Sequence, residues 1–117
     1  VTRHERLPRA RRVRKRSQYL AIQGEGRRLV GTHYILMARR ADDAAAPLRF
    51  GITVSRKVGG AVTRNRVKRW IRESWRRMQD DFPPGVDVVV LARPSASTAG
   101  YGTTARELAT LARRLGG

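Results

Sequence analysis

Two periods of hydrophobic positions alternate along this 117-residue chain, and the switches between them mark its elements. A period of two predicts strands over residues 32–39 and 48–55. In the first, Tyr34, Leu36 and Ala38 alternate with Ile35 and Met37. In the second, Leu48, Phe50, Ile52 and Val54 alternate with Arg49, Gly51, Thr53 and Ser55, a half-buried pattern. The link 41–47, with Asp42-Asp43 and Pro47, reads as a hairpin-like loop, so these strands are expected to be antiparallel neighbours. After Gly59-Gly60 the period lengthens. Val67, Trp70, Ile71, Ser74, Trp75 and Met78 fall within about 140° of one another on a helix, a single apolar stripe.

Asp80-Asp81-Phe82-Pro83-Pro84-Gly85 ends that helix. Residues 86–92 follow as a Val-rich strand whose run Val88-Val89-Val90-Leu91 predicts cover on both faces. A last helix is expected over residues 100–115, with Ala105, Leu108, Leu111, Ala112 and Leu115 facing the core and Thr104 with Glu107 as a capping box. Upstream, Ser17 is placed to cap a short helix carrying Tyr19, Leu20 and Ile22, ended by Gly24-Glu25-Gly26. The order αββαβα, with one sheet and helices beside it, defines an α/β (α+β) two-layer sandwich.

Length allows one such domain, assigned to residues 17–117. Residues 1–16 hold eight basic residues and one acid and read as a basic arm. Charge changes the picture more than size does. Twenty-six Lys and Arg against nine Asp and Glu give a formal +17 and a pI near 11.9. Such an excess repels itself in a compact state and points to an anionic partner. There is no cysteine, hence no disulfide, thiolate metal site or cysteine nucleophile. No apolar run approaches the ~18 residues of a spanning helix, so a cytoplasmic protein without membrane contact is expected.

Catalytic chemistry finds little support. His4 and His33 lie in the arm and at a strand start, and the pairs Asp42-Asp43 and Asp80-Asp81 sit in a loop and at a helix end. Two-metal hydrolysis needs several carboxylates converging on ions ~4 Å apart, and no G-x-S-x-G elbow or Walker loop is present. The basic segment 56–77 is different: Glu73 is its lone acid among nine bases. Like charges four apart, Lys68 to Arg72 and Arg72 to Arg76, each cost an isolated helix a few tenths of a kcal/mol. Asn65, Lys68, Arg69, Arg72 and Arg76 gather opposite the apolar stripe, the footprint of phosphate contact. A membrane-surface helix would need its tryptophans for lipid, and no helix-turn-helix or basic-zipper pattern supports duplex DNA.

The segment Ser55-Arg56-Lys57-Val58-Gly59-Gly60-Ala61-Val62-Thr63-Arg64-Asn65-Arg66-Val67-Lys68-Arg69-Trp70-Ile71-Arg72 closely resembles the RNR signature of the protein subunit of bacterial ribonuclease P. Arg12-Val13, Tyr19, Phe50 to Ser55, Val88 to Pro94 and Leu108 to Leu115 fit the same family, so the resemblance spans about residues 6–115. It implies a ribosomal S5 domain 2-like sandwich with a left-handed βαβ crossover, against the usual hand. It further implies a non-catalytic protein subunit of an endoribonuclease that removes the 5′ leader of precursor tRNA. The partners implied are the ribonuclease P RNA and precursor tRNA, with no protein oligomer required, and with Mg²⁺ held mainly by the RNA. By this resemblance Arg56, Lys57, Arg64, Asn65, Arg66, Lys68, Arg69, Arg72 and Arg76 form the RNA-binding face. Arg12, Tyr19, Gln23, Tyr34 and Met37 form the leader cleft. Gln23 and Met37 stand where some members carry aromatics. The competing reading is a ribosomal or other structural RNA-binding protein.

Overall fold

The computed structural model describes residue 22 and residues 26–41, 45, 47–82 and 85–116. The basic arm with Arg12, and most of the expected N-terminal helix with Tyr19 and Gln23, lie outside the described residues. Four strands form one mixed sheet: β1 (Arg27–Val30), β2 (Tyr34–Arg40), β3 (Arg49–Thr53) and β4 (Val86–Ala92). Two helices follow the pattern of the sequence, α1 (Ala61–Met78) and α2 (Gly100–Gly116), with short 3-10 turns at Gln79–Asp81 and Pro94–Thr98. The result is the expected α+β sandwich.

The strand order is β1-β2-β4-β3. The expectation that residues 32–39 and 48–55 pair as antiparallel neighbours is therefore corrected, because β4 lies between them. It pairs antiparallel with β2 (Leu36 opposite Val90) and parallel with β3 (Phe50 opposite Val88). β4 is the strand able to sit centrally, since its valines are apolar on both faces. The link after β2 is thus no hairpin; Ala41 instead donates its N–H to the Gly85 carbonyl beside β4. The other neighbour of β2 is β1, a strand the hydrophobic pattern did not predict.

The sheet divides its side chains by parity. Tyr34, Leu36, Ala38, Phe50, Val88, Val90 and Ala92 join Val67, Ile71, Trp75, Met78, Leu108 and Leu111 in the main core, so both helices lie on one face. Trp75 stacks on Phe50 with centroids 4.0 Å apart and 7° between planes, and Phe82 closes on it from 5.2 Å. On the opposite face Ile35, Met37 and Val89 pack with Ile22 in a second cluster. On that face too, Asp87 is only 1% exposed and forms a two-pronged ion pair with Arg49, both contacts 2.7 Å, with Arg39 at 3.9 Å. One carboxylate thereby ties together three adjacent strands.

The expected capping box on the last helix is corrected as well. The helix starts at Gly100, so Thr104 lies inside it, buried, with its hydroxyl donating to the Gly100 carbonyl and 2.6 Å from the Tyr34 hydroxyl. The Glu107 carboxylate accepts the backbone N–H groups of His33 and Tyr34 at 2.7–3.1 Å. It caps the start of β2 instead of its own helix.

Candidate nucleic-acid interface

The interface begins at the turn leading into α1. Ser55 organises it: its carbonyl accepts the Val58 N–H and its hydroxyl the Lys57 N–H. Val58 is thereby buried while Arg56 and Lys57 are left exposed. Gly59, at φ +155, turns the chain where a Cβ would stand 3.0 Å from the Thr63 side chain. No side chain caps α1 and its first turn has no acid, so the positive end of the helix dipole adds to Arg56 and Lys57.

Along α1 the packing is set by Val67, Ile71, Ser74, Trp75 and Met78, all buried, with Trp70 half-buried. Ser74 sits in this stripe because its hydroxyl returns to the Trp70 carbonyl at 2.8 Å. At 100° per residue, Asn65, Arg69, Arg72 and Arg76 lie within about 60° of each other on the opposite side. Asn65, Arg69 and Arg72 are exposed; Arg76 is half-buried and ion-paired to Glu73 at 3.0 Å.

The signature triplet does not form one face. Successive residues diverge by about 100°, so only Asn65 shares the outward stripe. Arg64 turns toward the packed side, half-buried, its Nε buried with no hydrogen-bond partner. Arg66 lies over Trp70, 5.6 Å from the ring centroid. Lys68 is half-buried on the Arg64 flank. The structure thus brings Asn65, Arg69, Arg72 and Arg76 together and sets Arg64 and Arg66 to either side. Sequence reasoning passed over Arg77, whose guanidinium lies 5.9 Å from the Tyr101 ring on α2.

Of the expected cleft residues, Tyr34 is corrected. It is fully buried on the helix side of the sheet and cannot face a strand of RNA there. Met37 lies on the opposite face, but it too is buried, 4% exposed and packed with Ile22, Ile35 and Val89. Among the described residues there is no group of three His, Cys, Asp or Glu that could hold a metal ion. No helix among them is long and apolar enough to cross a membrane.

A mixed four-stranded sheet with a cationic, acid-poor helix on one face defines a class of small basic α+β proteins suited to an anionic partner. The family model of ribonuclease P matches residues 7–116, and the chain belongs to that family, the protein components of the ribonuclease P endoribonuclease. It is 46% identical over 87 residues to the ribonuclease P protein component of Oleidesulfovibrio alaskensis, covering 74% of this chain and 70% of that one. With the Thermotoga maritima component it is 34% identical over 117 residues, 97% and 98% of the two chains. The solved Thermotoga maritima RNase P protein superposes with a TM-score of 0.77 at 34% identity, covering 91% of this chain and 98% of that one. The Staphylococcus aureus RNase P protein gives 0.79 at 25% identity, covering 91% and 95%. These matches leave the ribosomal alternative unfavoured.

Proposed function

We propose that the outward face of α1 holds the ribonuclease P RNA, while the sheet face carrying Met37 receives the 5′ leader of precursor tRNA. The observation that carries this reading is the exposed set Asn65, Arg69 and Arg72, facing away from the core with no carboxylate partner among the described residues. Arg56 and Lys57 extend it at the helix start, and Arg64, Arg66, Lys68 and Arg76 flank it. Arg12, Tyr19 and Gln23 are assigned to the leader cleft by family resemblance. With Gln23 and Met37 standing where some family members carry aromatics, leader contact rests on hydrogen bonding and charge more than on stacking.

In this reading the chain does no bond-breaking chemistry. Catalytic RNA and substrate RNA both carry dense negative charge, and the protein neutralises phosphates of both so that they can approach. Mg²⁺ is held mainly by the RNA, the complex works in the cytoplasm, and one copy of the chain suffices. The same family reading gives β3–α1–β4 a left-handed crossover.

The test is reconstitution with a bacterial ribonuclease P RNA, scoring precursor-tRNA cleavage at limiting Mg²⁺. The protein should stimulate cleavage at the mature 5′ end, and Arg69→Ala with Arg72→Ala should reduce that stimulation in a still-folded variant. Tight RNA binding with no stimulation across several such RNAs would refute the proposal.

A further inference from the structure

The outer face of α2 carries a pattern that neither packing nor the RNA-binding helix explains. Thr103 and Arg106, then Thr110 and Arg113, repeat a Thr-x-x-Arg unit seven residues apart. Seven residues are nearly two full turns, so the two arginines point the same way, about 10 Å apart along the axis. They lie opposite the buried positions Thr104, Leu108 and Leu111, and both are exposed.

Each guanidinium is held by a neutral group. Arg106 Nη2 lies 3.4 Å from the Thr103 hydroxyl and Arg113 Nη2 lies 3.4 Å from the Thr110 hydroxyl. The Thr110 hydroxyl is itself anchored by donating to the Arg106 carbonyl at 2.9 Å. A surface arginine on a helix is more usually placed against a carboxylate three or four residues away. Here the residues three and four away are Thr103, Gly102, Ala109 and Thr110 for Arg106, and Thr110, Ala109, Gly116 and Gly117 for Arg113. Glu107, the one acid of α2, is engaged by the His33 and Tyr34 amides. Arg113 also complements the helix C-terminus, but Arg106, in mid-helix, has no such role. The hydroxyls restrict the arginines without neutralising them, so less side-chain entropy is lost when an anion binds.

We infer that the Thr103–Arg106 and Thr110–Arg113 stripe is a second phosphate-binding surface, occupied by a segment of the ribonuclease P RNA distinct from the one on α1. This rests on the reading of the chain as an RNA-binding subunit. It adds that α2 engages RNA as well as packing the sheet.

The probe is full-length protein titrated with a bacterial ribonuclease P RNA between 50 and 200 mM monovalent salt. Arg106→Gln with Arg113→Gln should flatten the slope of log affinity against log salt by about 1.4–1.8, two phosphates' worth. Affinity lost across that range should then be about tenfold smaller than for wild type. Thr103→Val with Thr110→Val, which keeps both charges, should preserve the slope and still weaken binding. Unchanged slope and affinity in the glutamine variant, while Arg69→Ala with Arg72→Ala loses both, would overturn the α2 surface and leave the α1 reading standing. No change in either variant would overturn both. Loss of binding to phosphatidylserine vesicles with RNA binding intact would assign the stripe to lipid and equally overturn the proposal.

Discussion

Tyr34 shows how much one residue's parity decides. Both sets of alternating positions in β2 are apolar, so the sequence says that two faces are buried but not which face meets the helices. The structure puts Tyr34 in the main core, its hydroxyl against Thr104. Burial raises its pKa above the usual 10.0; the Thr104 hydrogen bond opposes this and the Glu107 charge adds to it. The native tyrosine therefore keeps its proton to higher pH than the unfolded one. That stability is present in full below pH 10 and is lost as pH rises through the native value. Tyr34→Phe should cost about 1 kcal/mol at neutral pH and remove this part of the alkaline loss, so the two melting curves should converge above pH 10. A constant gap from pH 7 to 11 would rule the tyrosine out as the titrating group. Asp87 offers a larger effect at the same scale. Asp87→Asn leaves Arg49 and Arg39 facing a neutral group in a half-buried site, and about 3 kcal/mol of stability should be lost in urea unfolding.

Elements were legible where local pattern suffices and illegible where long-range pairing decides. The bounds of α1, β4 and α2 follow from period, the Asp80 to Gly85 breaker and Pro94. β1 was missed because Arg27-Arg28-Leu29-Val30 is short, half charged and sits at a sheet edge, where one face and one hydrogen-bonding side meet solvent. The neighbours of β3 were misjudged because its alternation is satisfied equally beside β2 or β4. The one clue was the doubly apolar β4, which belongs at the centre. The RNR motif was legible as a string; on the helix its three letters point three ways, with Asn65 on the outward stripe and Arg64 and Arg66 to either side. The largest side chain buried on α1 is Trp75. Trp75→Ala, which removes the Phe50 stack and the Phe82 contact, should cost about 3–5 kcal/mol. Val62→Ala, at an 80% exposed position of the same helix, should stay within about 0.5 kcal/mol. Comparable losses in the two variants would mean that α1 is held by its helical propensity and not by its stripe.

For the molecule as a whole, the sequence carries a net charge of +17, and 18 of its 26 Lys and Arg lie among the described residues. At 0.01 M salt the screening length is about 30 Å, so nearly every arginine repels every other; at 0.1 M it is about 10 Å and only neighbours do. Folding gathers these charges, whereas unfolding disperses them. RNA binding compensates them, and salt competes with that compensation. The two salt dependences must therefore run in opposite directions. Raising NaCl from 0.01 to 0.2 M should raise the melting temperature of the free protein by several degrees, while lowering its affinity for ribonuclease P RNA by orders of magnitude. With saturating RNA at low salt, stabilisation by the ligand should exceed what salt alone provides, because bound phosphates neutralise the very residues that repel. A free-protein melting temperature that falls across the same salt range would show that the described ion pairs, Arg49 with Asp87 above all, outweigh the repulsion. The basic faces would then cost the fold nothing until RNA arrives.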